Sequence, residues 1–483
     1  MRKLLTAFSL SRDDRIRTCD LSPPRRTRYR AALHPVVFCQ GGKCNGFLQI
    51  SAYLAPKISS LHTMDILLRD ALIVDKQSDH YNTQRDILIK DNAIALVDSH
   101  IGEKVDREVD LRGKAVAPGF VDVFSHFNDP GMEQKETIET GTAAAMAGGY
   151  TYVFVLPNTT PVIDSKSFVE YIVQKSDKCP IDIRPLGAAT KKIEGKEISE
   201  MYDMYQSGAV AFTDGLHPVQ SAGLFLKILQ YVKSFNGVLI EQPFENTIGS
   251  HGLVNEGIVS TRLGLPGIPA ISEEIFIQRE IELLRYTESK LHITGVSTQR
   301  GAELILKAKD ESLQITFSVT PHHLLFCDED ITTYDTNFKF NPPLRTRKDR
   351  DALRQLVLEN KVDAIAAHHF PQHWDDKVIE FEYAKNGTTS LQTAYAAVQT
   401  AIPALKPEQV AALFSTNMRQ IFGLENAGIK VGNIAEMTIF DPHGKTILTK
   451  ENNKSKSLNS PFFGQELQGS ITGIFSKGNL YLN

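Results

Sequence analysis

Three histidines lie close together late in the chain, at His368, His369 and His373. Imidazole nitrogen and carboxylate oxygen are the usual zinc ligands besides thiolate. These histidines could therefore combine with His126 and Asp214 into a mononuclear metal centre with three or four ligands. Histidine pairs on loops are more often solvated or structural, so the residue types leave both interpretations open.

The elements that must position these side chains alternate in type between residues 118 and 424. Short β-rich runs follow helical patterns, which predicts a parallel sheet, and eight such runs fit a (β/α)8 TIM-type barrel. Active sites of such barrels lie at the carboxyl ends of the strands. The predicted strands are Gly119–Val123, Thr151–Leu156, Ile181–Leu186, Ala209–Thr213, Val238–Ile240, Leu291–Ile293, Ile315–Val319 and Ala364–Ala366.

Two of the predicted helices have clear end signals. The first covers Ile138–Ala147 and stops at Gly148–Gly149, because glycine favours the backbone that ends a helix. Another is expected to follow Ser272, which is a good N-cap residue. Glu273 and Glu274 would then lie in its first turn, where the helix dipole stabilises negative charge.

The first and last segments of the chain from Met64 onward have patterns typical of extended strands separated by turns. Residues 64–117 and 425–483 are predicted to form one composite β-sandwich beside the barrel of residues 118–424. The predicted fold class is α/β. Proline and glycine residues near Ala117–Gly119 and Lys430–Asn433 mark the boundaries between the sandwich and the barrel.

Residues 1–63 differ from the rest in composition. They hold 11 Lys/Arg and 3 Asp/Glu, whereas the remaining residues hold 42 Lys/Arg and 54 Asp/Glu. The segment has no apolar periodicity, so it is predicted to be disordered, or a mis-called extension ahead of a true start at Met64. A basic arm that binds nucleic acid is the alternative, although the acidic main body argues against a nucleic-acid surface.

Other function classes find little support in the sequence. No apolar run reaches the about 18 residues of a membrane span, and the basic start with its short apolar run is a weak signal peptide. Cysteine spacing shows no disulfide framework, which favours a reducing cytoplasm. There is no glycine-rich phosphate-binding motif, so no nucleotide cofactor is expected.

Several motifs from Met64 onward together resemble the dihydroorotase branch of the amidohydrolase superfamily. That resemblance implies a metal-dependent hydrolase that opens cyclic amides in pyrimidine biosynthesis, with zinc at the strand ends. The motifs are Pro118–Asp122, Leu156–Pro161, Gly264–Pro269, Thr320–Leu324, Asn341–Arg345 and Ser460–Gly464.

Four positions at which this family holds its metal ligands and catalytic carboxylate carry other residues. Phe124, Gln242 and Gly295 stand where the resemblance implies histidines, and His368 occupies the position of the catalytic aspartate. A benzyl group and a glycine have no lone pair for a metal, and a glutamine amide is a poor zinc donor. What the resemblance leaves as candidate metal ligands is His126, Asp214 and His368.

Three asparagines are the candidate substrate contacts. Asn158 and Asn341 match family positions that touch substrate, although Asn341-Pro-Pro-Leu is equally interpretable as a rigid turn. Asn128 replaces the arginine that binds the substrate carboxylate in the family, and a neutral amide cannot form that bidentate charged pair.

Three hypotheses follow from the resemblance. The first is a dihydroorotase homologue with impaired catalysis, kept as a structural or regulatory partner and itself homo-oligomeric, with aspartate transcarbamoylase as the candidate partner. The second is an active hydrolase with a rebuilt mononuclear site. The third is a binding module for a small heterocycle through Asn158 and Asn341. Bound zinc would favour the second, and its absence the first.

Overall fold

The computed structural model describes residues 64–425 and 428–483. The predictions for residues 1–63 lie outside this part of the chain. Among the described residues, no helix is both long enough and apolar enough to cross a membrane.

The strands are short in the barrel and longer towards the two ends of the described chain. In chain order they are β1 Ile66–Ile73, β2 Gln84–Lys90, β3 Ala93–Asp98, β4 Arg107–Asp110, β5 Ala115–Pro118, β6 Phe120–Ser125, β7 Tyr150–Val155, β8 Asp182–Pro185, β9 Leu239–Glu241, β10 Val254–Asn255, β11 Gly267–Ile268, β12 Leu291–Ile293, β13 Ile315–Val319, β14 Ala364–Ile365, β15 Met437–Ile447, β16 Glu466–Ser476 and β17 Asn479–Leu482.

Strands from the two ends of the described chain share one sheet. Its order is β17-β16-β15-β5-β1-β2-β3, and β4 pairs with β1. Antiparallel pairing of β15 with β5 joins the two ends, with Met437 opposite Pro118 and Ile439 opposite Val116. Because side chains alternate along a strand, one face of this sheet buries an apolar core that includes Val116 and Ile439. The predicted boundaries at 117 and 425 stay predictions.

The barrel consists of two parallel sheets, β6-β7-β8 and β9-β12-β13-β14. Isolated bridges close them into a ring: Phe212 bridges both Gly187 and Leu239, and Ser125 bridges His369. The carboxyl ends of the strands therefore meet on one face, which we call the mouth.

The fourth predicted strand, at residues 209–213, is reduced to the bridges of Phe212. On one side its neighbour is β8, which ends at Pro185. The Val210 amide donates to the Pro185 carbonyl at 3.2 Å, but proline has no N–H to donate in return. The missing donor explains why regular pairing is interrupted there.

Helices connect the strands and cover the barrel. In chain order they are α1 Ile138–Ala147, α2 Lys166–Ser176, α3 Met201–Gln206, α4 Ala222–Lys233, α5 Asn246–Gly249, α6 Ile258–Leu263, α7 Ile271–Thr287, α8 Gln299–Asp310, α9 Pro321–Leu325, α10 Arg347–Leu358, α11 Ala394–Ala401, α12 Pro407–Ala411 and α13 Asn417–Phe422.

Two helix starts show how local and tertiary hydrogen bonds compete for a capping group. Helix α1 has the predicted bounds, and the Thr137 hydroxyl caps it by accepting from the Thr140 amide. Helix α7 was expected to follow Ser272, but it begins at Ile271. The Ser272 hydroxyl instead donates to the Glu245 carbonyl at 3.0 Å. A tertiary hydrogen bond has taken the group that would have capped the helix.

Candidate functional site

The centre of the mouth is filled by aromatic rings. Phe124, at the end of β6, packs against His368, which follows β14, with ring centroids 4.7 Å apart. Phe370 adds an edge contact to Phe124 at 5.9 Å. Both Phe124 and His368 are buried. The resemblance puts a metal ligand at residue 124 and a catalytic carboxylate at residue 368, and here the two packed rings stand in their place.

The backbone of Gly295, which follows β12, lies directly against the His368 ring. A Cβ at residue 295 would lie 2.6 Å from Cε1 of the His368 ring, and the backbone φ of +72° is itself unfavourable for an L side chain. The absence of a side chain at 295 and the presence of an imidazole at 368 are therefore coupled. A histidine cannot be placed at 295 while His368 keeps its position.

Polar side chains inside the barrel hold the His368 ring from below. Its Nε2 lies 2.8 Å from the Thr294 hydroxyl, which accepts from Ser318 at 2.9 Å. Ser318 in turn meets His292 Nε2 at 3.1 Å, and His292 Nδ1 meets the Thr316 hydroxyl at 2.9 Å. Burial lowers the pKa of His292 to about 3 and keeps the pKa of His368 well below its ordinary value. Both imidazoles are therefore neutral at pH 7.

His126 has both ring nitrogens in use. Nε2 donates to the Asn158 carbonyl at 3.0 Å, and Nδ1 accepts from the Asn128 amide at 2.9 Å. Burial lowers the pKa of His126 to about 4, so the neutral ring is the stable form. These bonds make His126 a clamp between the loops that follow β6 and β7, and no lone pair is left over for a metal.

Asp214 is also engaged in structural hydrogen bonds. One carboxylate oxygen accepts from the Thr190 amide at 2.8 Å and the other from the Thr190 hydroxyl. Burial raises the pKa of Asp214 to about 6. Its backbone carbonyl accepts from the Asn158 side chain at 3.1 Å, so Asp214 joins the loop after the fourth barrel position to those after the second and third.

The other predicted site residues lie near the mouth but do not converge on one atom. Gln242 donates to the Asn341 carbonyl at 2.9 Å. Asn128 is buried, and its side-chain Nδ2 lies 3.5 Å from the Pro371 carbonyl. Buried side-chain atoms at Asn158 Oδ1, Gln242 Oε1 and Asn341 Oδ1 make no hydrogen bond to protein atoms. The three asparagines therefore border the mouth, and their role in binding substrate stays a prediction.

The histidine cluster does not assemble. The His369 side chain points away from the mouth. Its Nε2 lies 3.4 Å from the Glu136 carboxylate, and its Nδ1 accepts from the Ser390 amide. His373 lies further along the loop and pairs with Asp375 at 3.2 Å. The backbone at His368 has a φ of +48°, in the left-handed region. The two rings have different neighbours, since His368 packs on Phe124 and His369 meets the edge of Phe127.

The two histidines of the Thr320–Leu324 motif have different surroundings. His323 bonds the Thr320 hydroxyl at 2.7 Å and the Pro343 carbonyl at 3.1 Å. His322 stacks on Phe340 with centroids 4.4 Å apart, but its buried Nδ1 has no hydrogen-bond partner in the protein.

Sequence reasoning missed Glu136 and Thr294. Glu136 is fully buried and accepts from Ser455, Thr140 and the Lys456 amide, which joins the loop after β6 to the segment before β16. No spacing in the sequence marks Glu136. Thr294 carried a signal that was overlooked, because it follows His292 by two residues and so faces the barrel interior beside it.

The donor set does not fit a zinc ion. Across residues 64–425 and 428–483, no three His, Cys, Asp or Glu side chains lie close enough together to hold a metal. His126 and Asp214 are committed to backbone and threonine partners, and His368 packs on Phe124. The proposed metal set of His126, Asp214 and His368 remains a prediction without geometric support.

A buried acid lies behind the mouth, where the Glu241 side chain is fully buried and both carboxylate oxygens lack a hydrogen-bond partner. Burial raises the pKa of Glu241 well above its ordinary value, and the charges of Glu280 and Asp214 raise it further. The charge of Arg279 offsets part of this rise in the pKa of Glu241, but its guanidinium hydrogen-bonds Glu280 at 2.7 Å and not Glu241.

We expect Glu241→Gln to flatten the pH dependence of stability. The pKa of Glu241 is higher in the folded chain than the ordinary 4.5, so folding retains a proton that the unfolded chain releases. The free energy of unfolding therefore falls as pH rises above that value, by at most about 1.4 kcal/mol per pH unit. Urea unfolding from pH 5 to pH 8 measures this. The exposed Glu282→Gln, on helix α7, is the control, and equal slopes in wild type and Glu241→Gln would contradict the expectation.

Comparison with solved structures defines the class first. The chain is similar to the L-hydantoinase (dihydropyrimidinase) of Arthrobacter aurescens, with a TM-score of 0.76 at 21% identity over 87% of this chain and 96% of that one. A D-hydantoinase structure gives a TM-score of 0.74 at 18% identity. The fold is therefore a TIM barrel with a β-sandwich formed by the two ends of the described chain.

Sequence comparison narrows the class to one family. Residues 113–301 match the dihydro-orotase-like family model. The chain is 39% identical to the dihydroorotase of Caldanaerobacter subterraneus subsp. tengcongensis, over 86% of this chain and 97% of that protein. It is 40% identical to the dihydroorotase of Desulfotalea psychrophila, over 76% of this chain and 88% of that protein. The chain belongs to the dihydroorotase family.

Proposed function

We propose that this dihydroorotase-family protein does not hydrolyse dihydroorotate through a zinc-activated water, and that it serves pyrimidine biosynthesis as a structural or regulatory partner. The observation that carries the proposal is the packing of Phe124 on His368, with Gly295 fitted against the same imidazole. Three of the positions that distinguish this chain from a metal-binding relative thus form one packed unit.

The chemistry of hydrolysis explains why this unit matters. Opening a cyclic amide needs a metal to acidify water and polarise the carbonyl, and a carboxylate to carry the proton to the leaving nitrogen. Phe124 and Gly295 supply no ligand, and neutral His368 does not reproduce the charge of a carboxylate. Asn128 does not replace the bidentate charged pair that an arginine makes with the substrate carboxylate.

The proposed partner is aspartate transcarbamoylase. Some dihydroorotase-like chains with degraded metal sites assemble with that enzyme, and this chain carries substitutions at its own metal-site positions, Phe124, Gln242, Gly295 and His368. In such an assembly the barrel contributes shape and surface, whereas the partner performs the chemistry.

Metal analysis of the purified full chain tests the proposal. After dialysis against zinc and then against buffer, we expect far less than one zinc per chain, because the site offers no set of free donors. The dihydroorotase of Caldanaerobacter subterraneus subsp. tengcongensis, treated in parallel, is the control. One tightly held zinc per chain would favour an active mononuclear enzyme instead.

A further inference from the structure

The loop between β14 and α11 exposes an unusual number of apolar side chains. Residues 372–387, which we call the mouth loop, include Trp374 at 63% exposure, Val378 at 73%, Ile379 at 44% and Tyr383 at 67%. Trp374 is the only tryptophan of the 483-residue chain. Two aromatic rings exposed to this degree present on the order of 200–300 Å² of surface, which approaches the largest apolar patch of a typical monomer, and such patches are often functional.

Three buried lysines hold the mouth loop in one shape. Lys377 donates to the Lys385 carbonyl at 2.9 Å, and Lys339 donates to the Phe381 carbonyl at 2.7 Å. Lys135 reaches in from the loop after β6 and bonds the Gln372 side chain at 2.7 Å. Desolvation lowers the pKa of all three amines, that of Lys377 to about 8.

These lysines make the loop a rigid platform. Burying an ammonium group is unfavourable unless it is well bonded, so each amine holds the carbonyls that surround it. The buried Phe381 anchors the middle of the loop, while its neighbours on both sides face solvent. A surface fixed in advance loses little conformational entropy when a partner binds, which favours recognition.

The charge around the patch indicates what kind of surface fits it. Asp375, Glu380 and Glu382 are exposed on the mouth loop, against the single exposed lysine Lys385. A second copy of this chain that docked through the same loop would bring the acidic side chains of the two copies together, which is unfavourable at an interface. The complementary surface is an apolar groove rimmed by lysine or arginine, on a different protein.

The mouth loop lies beside the opening of the barrel, which a hydrolase must keep clear for its substrate. The mouth loop begins four residues after His368, so a partner seated on Trp374 would lie beside the entrance to the barrel. Such a partner would hinder substrate entry in an active hydrolase. It has no such cost where Phe124 and His368 already fill the centre.

We propose that the mouth loop, through Trp374, Val378, Ile379 and Tyr383, is the surface on which this chain docks a partner enzyme with a basic-rimmed apolar groove. The inference rests on the proposed function, and it assigns the partner contact to a defined face. A stable interface buries about 800 Å² per partner, so the patch would form its apolar centre and the acidic residues its rim.

The test is titration of the full chain with purified aspartate transcarbamoylase of the same organism, by calorimetry and by light scattering. We expect a complex, and the double variant Trp374→Ala/Tyr383→Ala should weaken it by at least about 30-fold, the effect of losing one interface hot spot. Glu380→Lys/Glu382→Lys should weaken binding most at low salt. Tyr286→Ala removes an aromatic ring that is 74% exposed at the opposite end of the barrel and should change nothing.

Three outcomes would overturn the docking surface: no complex, equal affinity of wild type and Trp374→Ala/Tyr383→Ala, or self-association of the chain through the patch. Each of these leaves the absence of zinc and of hydrolysis intact, and only the lack of any complex also refutes the proposed partner. Conversely, bound zinc with substantial turnover would refute the proposed function whatever the binding result. Far-ultraviolet circular dichroism and urea unfolding of the variants establish that they are folded.

Discussion

The purified chain should hydrolyse dihydroorotate at a rate on the order of 10⁴-fold or more below that of a dihydroorotase with a complete metal centre. General acid–base catalysis alone contributes 10²–10⁴-fold, and the metal-activated water adds to it. Phe124, Gln242, Gly295 and His368 remove both contributions. Each factor of ten corresponds to about 1.4 kcal/mol of transition-state stabilisation.

Restoring single residues should not recover this activity. Phe124→His leaves His368 and Gly295 unchanged, so one added donor faces no second ligand, and groups that act as a set have non-additive effects. The measurement is a coupled assay with added zinc, manganese or cobalt, with the Caldanaerobacter dihydroorotase as the positive control. Turnover of the wild-type chain within about tenfold of that control would mean that the chemistry lies elsewhere in the mouth.

Gly295→Ala should destabilise the protein by about 2–4 kcal/mol. The left-handed backbone at residue 295 penalises an L side chain by about 1–2 kcal/mol, and forcing a methyl group into a packed site adds about 1–3 kcal/mol. The clash is with the His368 ring, which Phe124 and Thr294 hold in place. Urea unfolding gives the free energies.

A matched glycine separates the two causes. Gly264 has a similar φ of +65°, but a Cβ there would meet nothing within 4 Å, so Gly264→Ala reports the backbone penalty alone. Adding His368→Ala to Gly295→Ala should recover part of the loss, because it removes the atoms that clash. If Gly295→Ala is no more destabilising than Gly264→Ala, the fitted contact between Gly295 and His368 is wrong.

The sequence by itself predicted the frame of this protein well. Strands Leu291–Ile293 and Ile315–Val319 and helix Ile138–Ala147 have the predicted bounds. Hydrophobic periodicity and glycine or proline punctuation are local properties, and they determine where an element runs. The identities at the strand ends also showed, without coordinates, that Phe124 and Gly295 cannot bind a metal.

Only the tertiary structure decided how the remaining polar groups are used. Whether His126 has a free nitrogen depends on the Asn158 carbonyl, and whether Gly295 tolerates a side chain depends on His368. These partners lie tens of residues apart, and no periodic pattern encodes their distance. A strand's alternation says which way a side chain faces, but close packing and hydrogen bonding between distant segments decide what it meets there.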